Sequence, residues 1–176
     1  MTLRTALIVE TPEAEDAIGA YRMWNDPAAA RGIPAHVTLL TPFKPPDAID
    51  GRDFDFLSEY FASASSFAYT LTSFGRFEDG GILWLRPQPA GPFVALAQGL
   101  VARYPEYPPY GGAYDEIVPH VTIAHNLPEV RAFDGLEGAV GPFLPITCRA
   151  DGATLMEEAA DGMWSVRARF PFGGAP

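Results

Sequence analysis

The sequence has a single cysteine, Cys148, among 176 residues, so no intrachain disulfide can form. Ile146 and Thr147 beside it place that thiol on a strand, as a structural side chain. Basic side chains are scarce as well: 12 Lys and Arg stand against 22 Asp and Glu, a net charge of −10. Affinity for a long polyanion comes mainly from basic residues displacing counterions, so an extended nucleic-acid duplex is excluded as a partner. A small anion, or the end of an oligonucleotide, needs only a local basic site. No apolar run approaches the roughly 20 residues that span a bilayer, and no membrane partner is expected. The first ten residues carry one basic side chain and a short apolar run closed by Glu10. That is a poor export signal, so a cytoplasmic protein is expected. No Pro/Gly/Ser-rich linker separates independent units. One two-lobed domain over residues 1–176 is expected, as a monomer.

What is present suits a folded chain. Nearly half of the residues are hydrophobic, against disorder, and 18 prolines with 17 glycines require many turns. Leu3 to Glu10 has the composition of a buried strand. Thr11 is placed to cap the next helix, with Pro12 in its first turn and Glu13, Glu15 and Asp16 at its positive end. That helix should stop near Asn25-Asp26-Pro27. Further helices are predicted over Asp53–Ala64, over Phe93–Tyr104 behind Pro92, and from about Pro128. Strands are predicted at Phe67–Phe74, Ile82–Arg86, Phe143–Arg149, Ala153–Glu158 and Met163–Phe170, the last two as a hairpin. The expected fold is α+β: two pseudo-symmetric lobes, each an antiparallel-rich sheet with outer helices, around a central cleft.

The chain holds three histidines, and two of them sit in one repeated pattern. His36-Val37-Thr38-Leu39 and His120-Val121-Thr122-Ile123 each lie in a β-branched, apolar run that favours a strand. Successive strand side chains alternate faces, so each His shares a face with the Thr two residues on, and the Val between them points away. Two coincidences of His with Thr at this offset fall near ~0.3 % by chance. His125 lies at an odd offset from His120 and should face away from the cleft.

Two imidazoles and two hydroxyls facing one another define a chemistry. An imidazole titrates near neutrality, so one can accept a proton while the other donates one. Opening a cyclic phosphodiester needs that pair: a base for water and an acid for the departing sugar oxygen. Thr38 and Thr122 hydroxyls can hold the non-bridging oxygens. No cofactor and no metal is called for. Zinc takes at least three protein ligands, and His36, His120 and distant Cys148 make a poor set.

The two His-x-Thr-hydrophobic motifs resemble the signature of the 2H phosphoesterase superfamily. That group includes the bacterial 2′-5′ RNA ligase-like proteins and the cyclic nucleotide phosphodiesterases. Ile82-Leu83-Trp84-Leu85-Arg86-Pro87 and Tyr107-Pro108-Pro109-Tyr110-Gly111-Gly112 also resemble bacterial members. The resemblance implies two pseudo-symmetric lobes with the motifs on their inner strands. It also implies hydrolysis of 2′,3′-cyclic phosphate RNA ends or small cyclic nucleotides, RNA ligation being a side or reverse reaction.

Around the motifs, Phe43, Trp84 and Tyr114 are candidates to stack on a base. Lys44 and Arg86 are candidates to neutralise phosphate, and the 104–114 stretch is either a glycine-hinged lid or a packed loop. Two other classes of function stay open. A nucleotide or RNA-end binding module would use the same cleft without turnover. A structural protein would bury both histidines completely.

Overall fold

The computed structural model describes residues 3–114 and 116–174, leaving out the Glu78 side chain. Met1 and Thr2, at the start of the segment weighed above as an export signal, lie outside the described residues. Among the described residues eight strands and five helices follow one another in the order β1 (Thr5–Glu10), α1 (Pro12–Asn25), α2 (Pro27–Ala30), β2 (His36–Leu40), α3 (Gly51–Ala62), β3 (Phe67–Phe77) and β4 (Ile82–Gln88). Then come α4 (Gly91–Arg103), β5 (Val121–Ala124), α5 (Val130–Val140), β6 (Ile146–Ala150), β7 (Gly152–Glu158) and β8 (Trp164–Pro171).

All eight strands pair antiparallel in the order β6-β3-β4-β5-β2-β1-β7-β8. The α+β class and its lobes are as the sequence led one to expect. The lobes are the two halves of this order, β6-β3-β4-β5 and β2-β1-β7-β8. They meet edge to edge at β2 and β5, where Val37 faces Val121. Each half contains the same unit: a strand, a helix opened by proline, then a motif strand. These units are β1-α1-β2 with Pro12, and β4-α4-β5 with Pro92.

Alternation along the motif strands sorts side chains as the sequence pattern predicts. Val37, Leu39, Val121 and Ile123 are buried in one continuous core with Leu7, Leu57, Leu83, Leu85 and Leu100. Helices cover that side, α4 behind β2 and α1 behind β5 and β6, so each lobe's first helix backs the other lobe's sheet. The opposite face is left to His36, Thr38, His120 and Thr122.

Local corrections have local causes. Thr11 makes no side-chain cap; its hydroxyl is buried without a partner, and its N–H donates to the Ala35 carbonyl at 2.8 Å. The helix predicted from Asp53 begins earlier, at Gly51. Asp50 caps it by accepting from the N–H groups of Arg52 and Asp53, and the Asp53 carboxylate accepts from the Asp50 N–H. The strand predicted from Phe143 begins later, at Ile146, because Gly141–Phe143 form a short 3-10 turn.

Candidate active site

The pairing of Val37 with Val121 has a direct consequence. One step either way along antiparallel strands sets His36 across from Thr122 and Thr38 across from His120. Same-face neighbours directly opposite are separated by about 5 Å at Cβ and diagonal ones by about 7–8 Å. The two imidazoles occupy the diagonal, with a hydroxyl at each remaining corner. The structure thus brings together the four residues that the repeated pattern singled out.

Both rings are fixed in the same way. The Nδ1–H of His36 donates to the Pro34 carbonyl at 2.7 Å, and that of His120 donates to the Val118 carbonyl at 2.7 Å. A carbonyl only accepts, so Nδ1 carries the proton and Nε2 of the neutral ring is a free base. Neither Nε2 makes a hydrogen bond, and neither is among the buried unpartnered atoms of the described residues. Both therefore open on the cleft, and both rings are only half-buried, unlike the sealed histidines of a purely structural repeat.

The surroundings favour neutral imidazoles. Burial pushes His36 down to about 4; the Arg22 cation and His120 act the same way, opposed by the Pro34 hydrogen bond and Asp26. Burial also lowers His120, with His125 adding to it and the Val118 hydrogen bond opposing it. An anion between the rings reverses this preference, because negative charge stabilises imidazolium.

The aromatic candidates end in three different places. Trp84 lies across from Thr122, its ring 5.7 Å from that of His120 and stacked at 5.0 Å on Phe77. It is 3 % exposed, so it backs His120 from the side and does not offer an open stacking face. Gly75 sits across from it, and a methyl there would collide with the indole. Gly75→Ala is thus expected to lower stability by about 1–3 kcal/mol, the cost of overpacking. Denaturant unfolding measures it, and an unchanged midpoint would mean that the indole has room to move.

Phe43 corrects an expectation. Its N–H donates to the Thr5 carbonyl at 2.9 Å, which continues the β1–β2 pairing and turns the ring into the core. There it packs edge-on against Tyr104 and Tyr107 at 2 % exposure and cannot stack on a ligand. Tyr114 is 67 % exposed, edge-on to Tyr110 at 5.6 Å, with its ring available.

The 104–114 stretch is anchored to the core at several points. Tyr104 is buried, and the Tyr110 N–H donates to the Thr41 carbonyl at 2.6 Å. Tyr110 holds a left-handed backbone, φ 53° and ψ 31°, ahead of two glycines at positive φ, where glycine is unstrained. Burial raises the pKa of its hydroxyl and nearby Thr38 opposes that rise, which brings a tyrosine to the site that the sequence did not single out.

The cations differ too. Lys44 is taken up by both carboxylate oxygens of Asp53, at 2.8 and 2.9 Å, and is not free for phosphate. Sequence reasoning also missed Arg22, which is 1 % exposed behind the motif strands. Its guanidinium donates to the Thr122 carbonyl at 3.0 Å, the Ile33 carbonyl at 3.4 Å, Asp26 at 2.8 Å and Glu15 at 2.9 Å. Glu15 in turn accepts from the Ala35 N–H at 2.6 Å. One buried charge network thus ties the approach to His36 to the strand carrying Thr122. The signal was its spacing, since Arg22 continues the buried stripe of Ala14 and Ile18 at four-residue steps.

His125 donates its N–H to the Asn25 carbonyl and lines a depression with Trp24 at the end of α1, apart from the four motif residues. Cys148 is buried in β6. Among the described residues no three His, Cys, Asp or Glu side chains converge as a metal site would require.

Comparison with known proteins gives one consistent result. The family model of the 2′-5′ RNA ligase superfamily matches residues 10–162. A Bacillus pumilus protein named "Putative phosphoesterase" is 27 % identical over 168 residues, 95 % of each chain. Escherichia coli LigT, crystallised with NADP+ and with 3′-AMP, shares the fold at a TM-score of 0.65 and 18 % identity, over at least 98 % of both chains. A Thermus thermophilus structure matches at a TM-score of 0.62 and 22 % identity, covering 96 % of this chain and 97 % of its own.

Proposed function

Since the chain belongs to the 2′-5′ RNA ligase superfamily, we propose that it is a metal-independent phosphodiesterase that opens 2′,3′-cyclic phosphates on RNA ends or small cyclic nucleotides. The observation that carries this reading is the diagonal of two Nε2 atoms, each made a free base by an Nδ1–H bound to a carbonyl. In the reaction one neutral imidazole takes a proton from water as the oxygen attacks phosphorus. The other, charged, gives its proton to the sugar oxygen that leaves, so a cyclic diester and water become a monoester; the enzyme's proton count is unchanged, and proton exchange with solvent resets which ring is charged. Thr38 and Thr122 hydroxyls donate to the non-bridging oxygens and keep phosphorus between the rings. The exposed Tyr114 ring is the aromatic best placed to meet a base. The residues act as one two-lobed domain, because the cleft is made where the lobes join.

The test is a panel of 2′,3′-cyclic mononucleotides, cyclic-ended oligonucleotides and ADP-ribose cyclic phosphate, assayed with excess chelator. Turnover of at least one member with chelator present is expected; chelator-sensitive turnover would sink the metal-independent mechanism.

The pH profile follows from the site's environment. Catalysis needs one imidazolium and one imidazole. Both groups titrate below the ordinary histidine value in the free protein, His36 at about 4. The singly protonated pair is thus most populated on the acidic side of 6.5 and is lost as pH rises. The kcat/KM optimum should lie below pH 6.5, and the kcat optimum higher, because the bound anion stabilises the imidazolium. A kcat/KM optimum above pH 8 would contradict this assignment.

A further inference from the structure

The histidines and threonines are related by the pseudo-symmetry of the lobes, but the charges beside them are not. On one side β1 places Glu10 across from His36 and Ile8 across from Thr38. On the other, β4 places Trp84 across from Thr122, and the next step of that ladder sets Arg86 beside His120. Glu10 and Arg86 thus occupy equivalent positions with opposite charge. Glu10 is engaged, accepting from Thr154 Oγ1 at 2.6 Å and pairing with Arg169 at 3.3 Å. Arg86 makes no ion pair among the described residues and is exposed.

Among the described residues Arg31, Arg52, Arg103 and Arg131 also lack ion pairs, but they sit on helices or at a helix end. Arg86 alone among them is on the sheet. Its guanidinium is 4.9 Å from the centroid of Trp84, whose ring stands beside His120. Stacking on an indole holds the planar cation in place and leaves its N–H fork free. The four motif residues supply no fixed positive charge, because both imidazoles are held toward the neutral form.

We propose that Arg86 is the anion-binding residue of this cleft, contacting the phosphoryl group from the His120 side, where the equivalent position on the His36 side holds the engaged carboxylate of Glu10. The inference rests on the phosphodiesterase reading and sharpens it: the near-symmetric cleft receives its substrate in one orientation. Arginine matches this task better than lysine, since its fork meets two phosphate oxygens at once.

Inorganic phosphate is the probe, titrated against the whole chain and followed by the imidazole C–H resonances of His36 and His120. In the parent protein both should move. Arg86→Gln should weaken phosphate binding by about 10- to 100-fold, as expected for losing a charged hydrogen-bond partner. It should cut kcat/KM for a 2′,3′-cyclic substrate similarly and leave the melting temperature unchanged. Arg86→Lys should recover part of the loss, and Arg52→Gln on α3 should change nothing. If both imidazoles respond and Arg86→Gln binds phosphate as well as the parent, Arg86 is a solvated surface cation and this inference fails alone. If phosphate leaves both imidazoles unmoved in the parent, the phosphodiesterase reading fails with it.

Discussion

His36→Ala and His120→Ala are each expected to cut turnover of a cyclic phosphodiester substrate by roughly 10²- to 10⁴-fold, the usual range for losing a general acid or base. Each ring is held by its Nδ1–H on a carbonyl and exposes Nε2 to the cleft, so alanine removes the proton carrier itself. The two act in one cycle. Once one is gone the other has no partner step to complete, and the double variant should lose far less than the product of the single losses. Thr38→Ala and Thr122→Ala should cost less, since each removes a neutral hydrogen bond and no proton-transfer group. Steady-state kinetics on the four variants checks the order. Full turnover in either histidine variant would refute paired acid–base chemistry.

The part of this site that was legible in the sequence is the part that depends on local periodicity. His and Thr two apart on a strand share a face whatever the rest of the fold does. Pro12 and Pro92 mark helix starts for the same kind of reason, since proline suits a first turn that needs no N–H. What was not legible depends on which strands are neighbours. No local pattern says that Val37 pairs with Val121, yet that pairing makes one site out of two motifs. Phe43 shows the same limit. Directly after a motif strand it is placed to reach a ligand, but the backbone bond to Thr5 aims its ring at Tyr104. Trp84 keeps its place on the cleft face only because Gly75, on the next strand, leaves room for the indole. The two halves differ in length for a related reason: the 104–119 segment before the second motif has no counterpart of equal length before the first.

Arg22→Met should be among the most damaging single changes, destabilising the chain by about 3–5 kcal/mol, the range for breaking a buried ion pair from one side. Methionine fills much the same volume, so the loss comes from charge and hydrogen bonding more than from a cavity. Asp26, with its side chain 1 % exposed, would keep its charge with no cation nearby, and the Thr122 and Ile33 carbonyls would each lose a donor. Adding Asp26→Asn to Arg22→Met should therefore restore part of the stability, because it removes the uncompensated charge. Urea unfolding with an unchanged slope separates this from a change in the unfolded chain. A loss below about 1 kcal/mol would mean that water reaches the network and screens it. The same variant bears on catalysis through position. Arg22 joins α1 to the strand of Thr122 and to the residues just before His36, so without it the folded fraction should turn over more slowly at saturating substrate. It also removes a cation that holds His36 down, so the His36 titration should move up toward its ordinary value. A purely structural role would lower stability and leave that titration where it is.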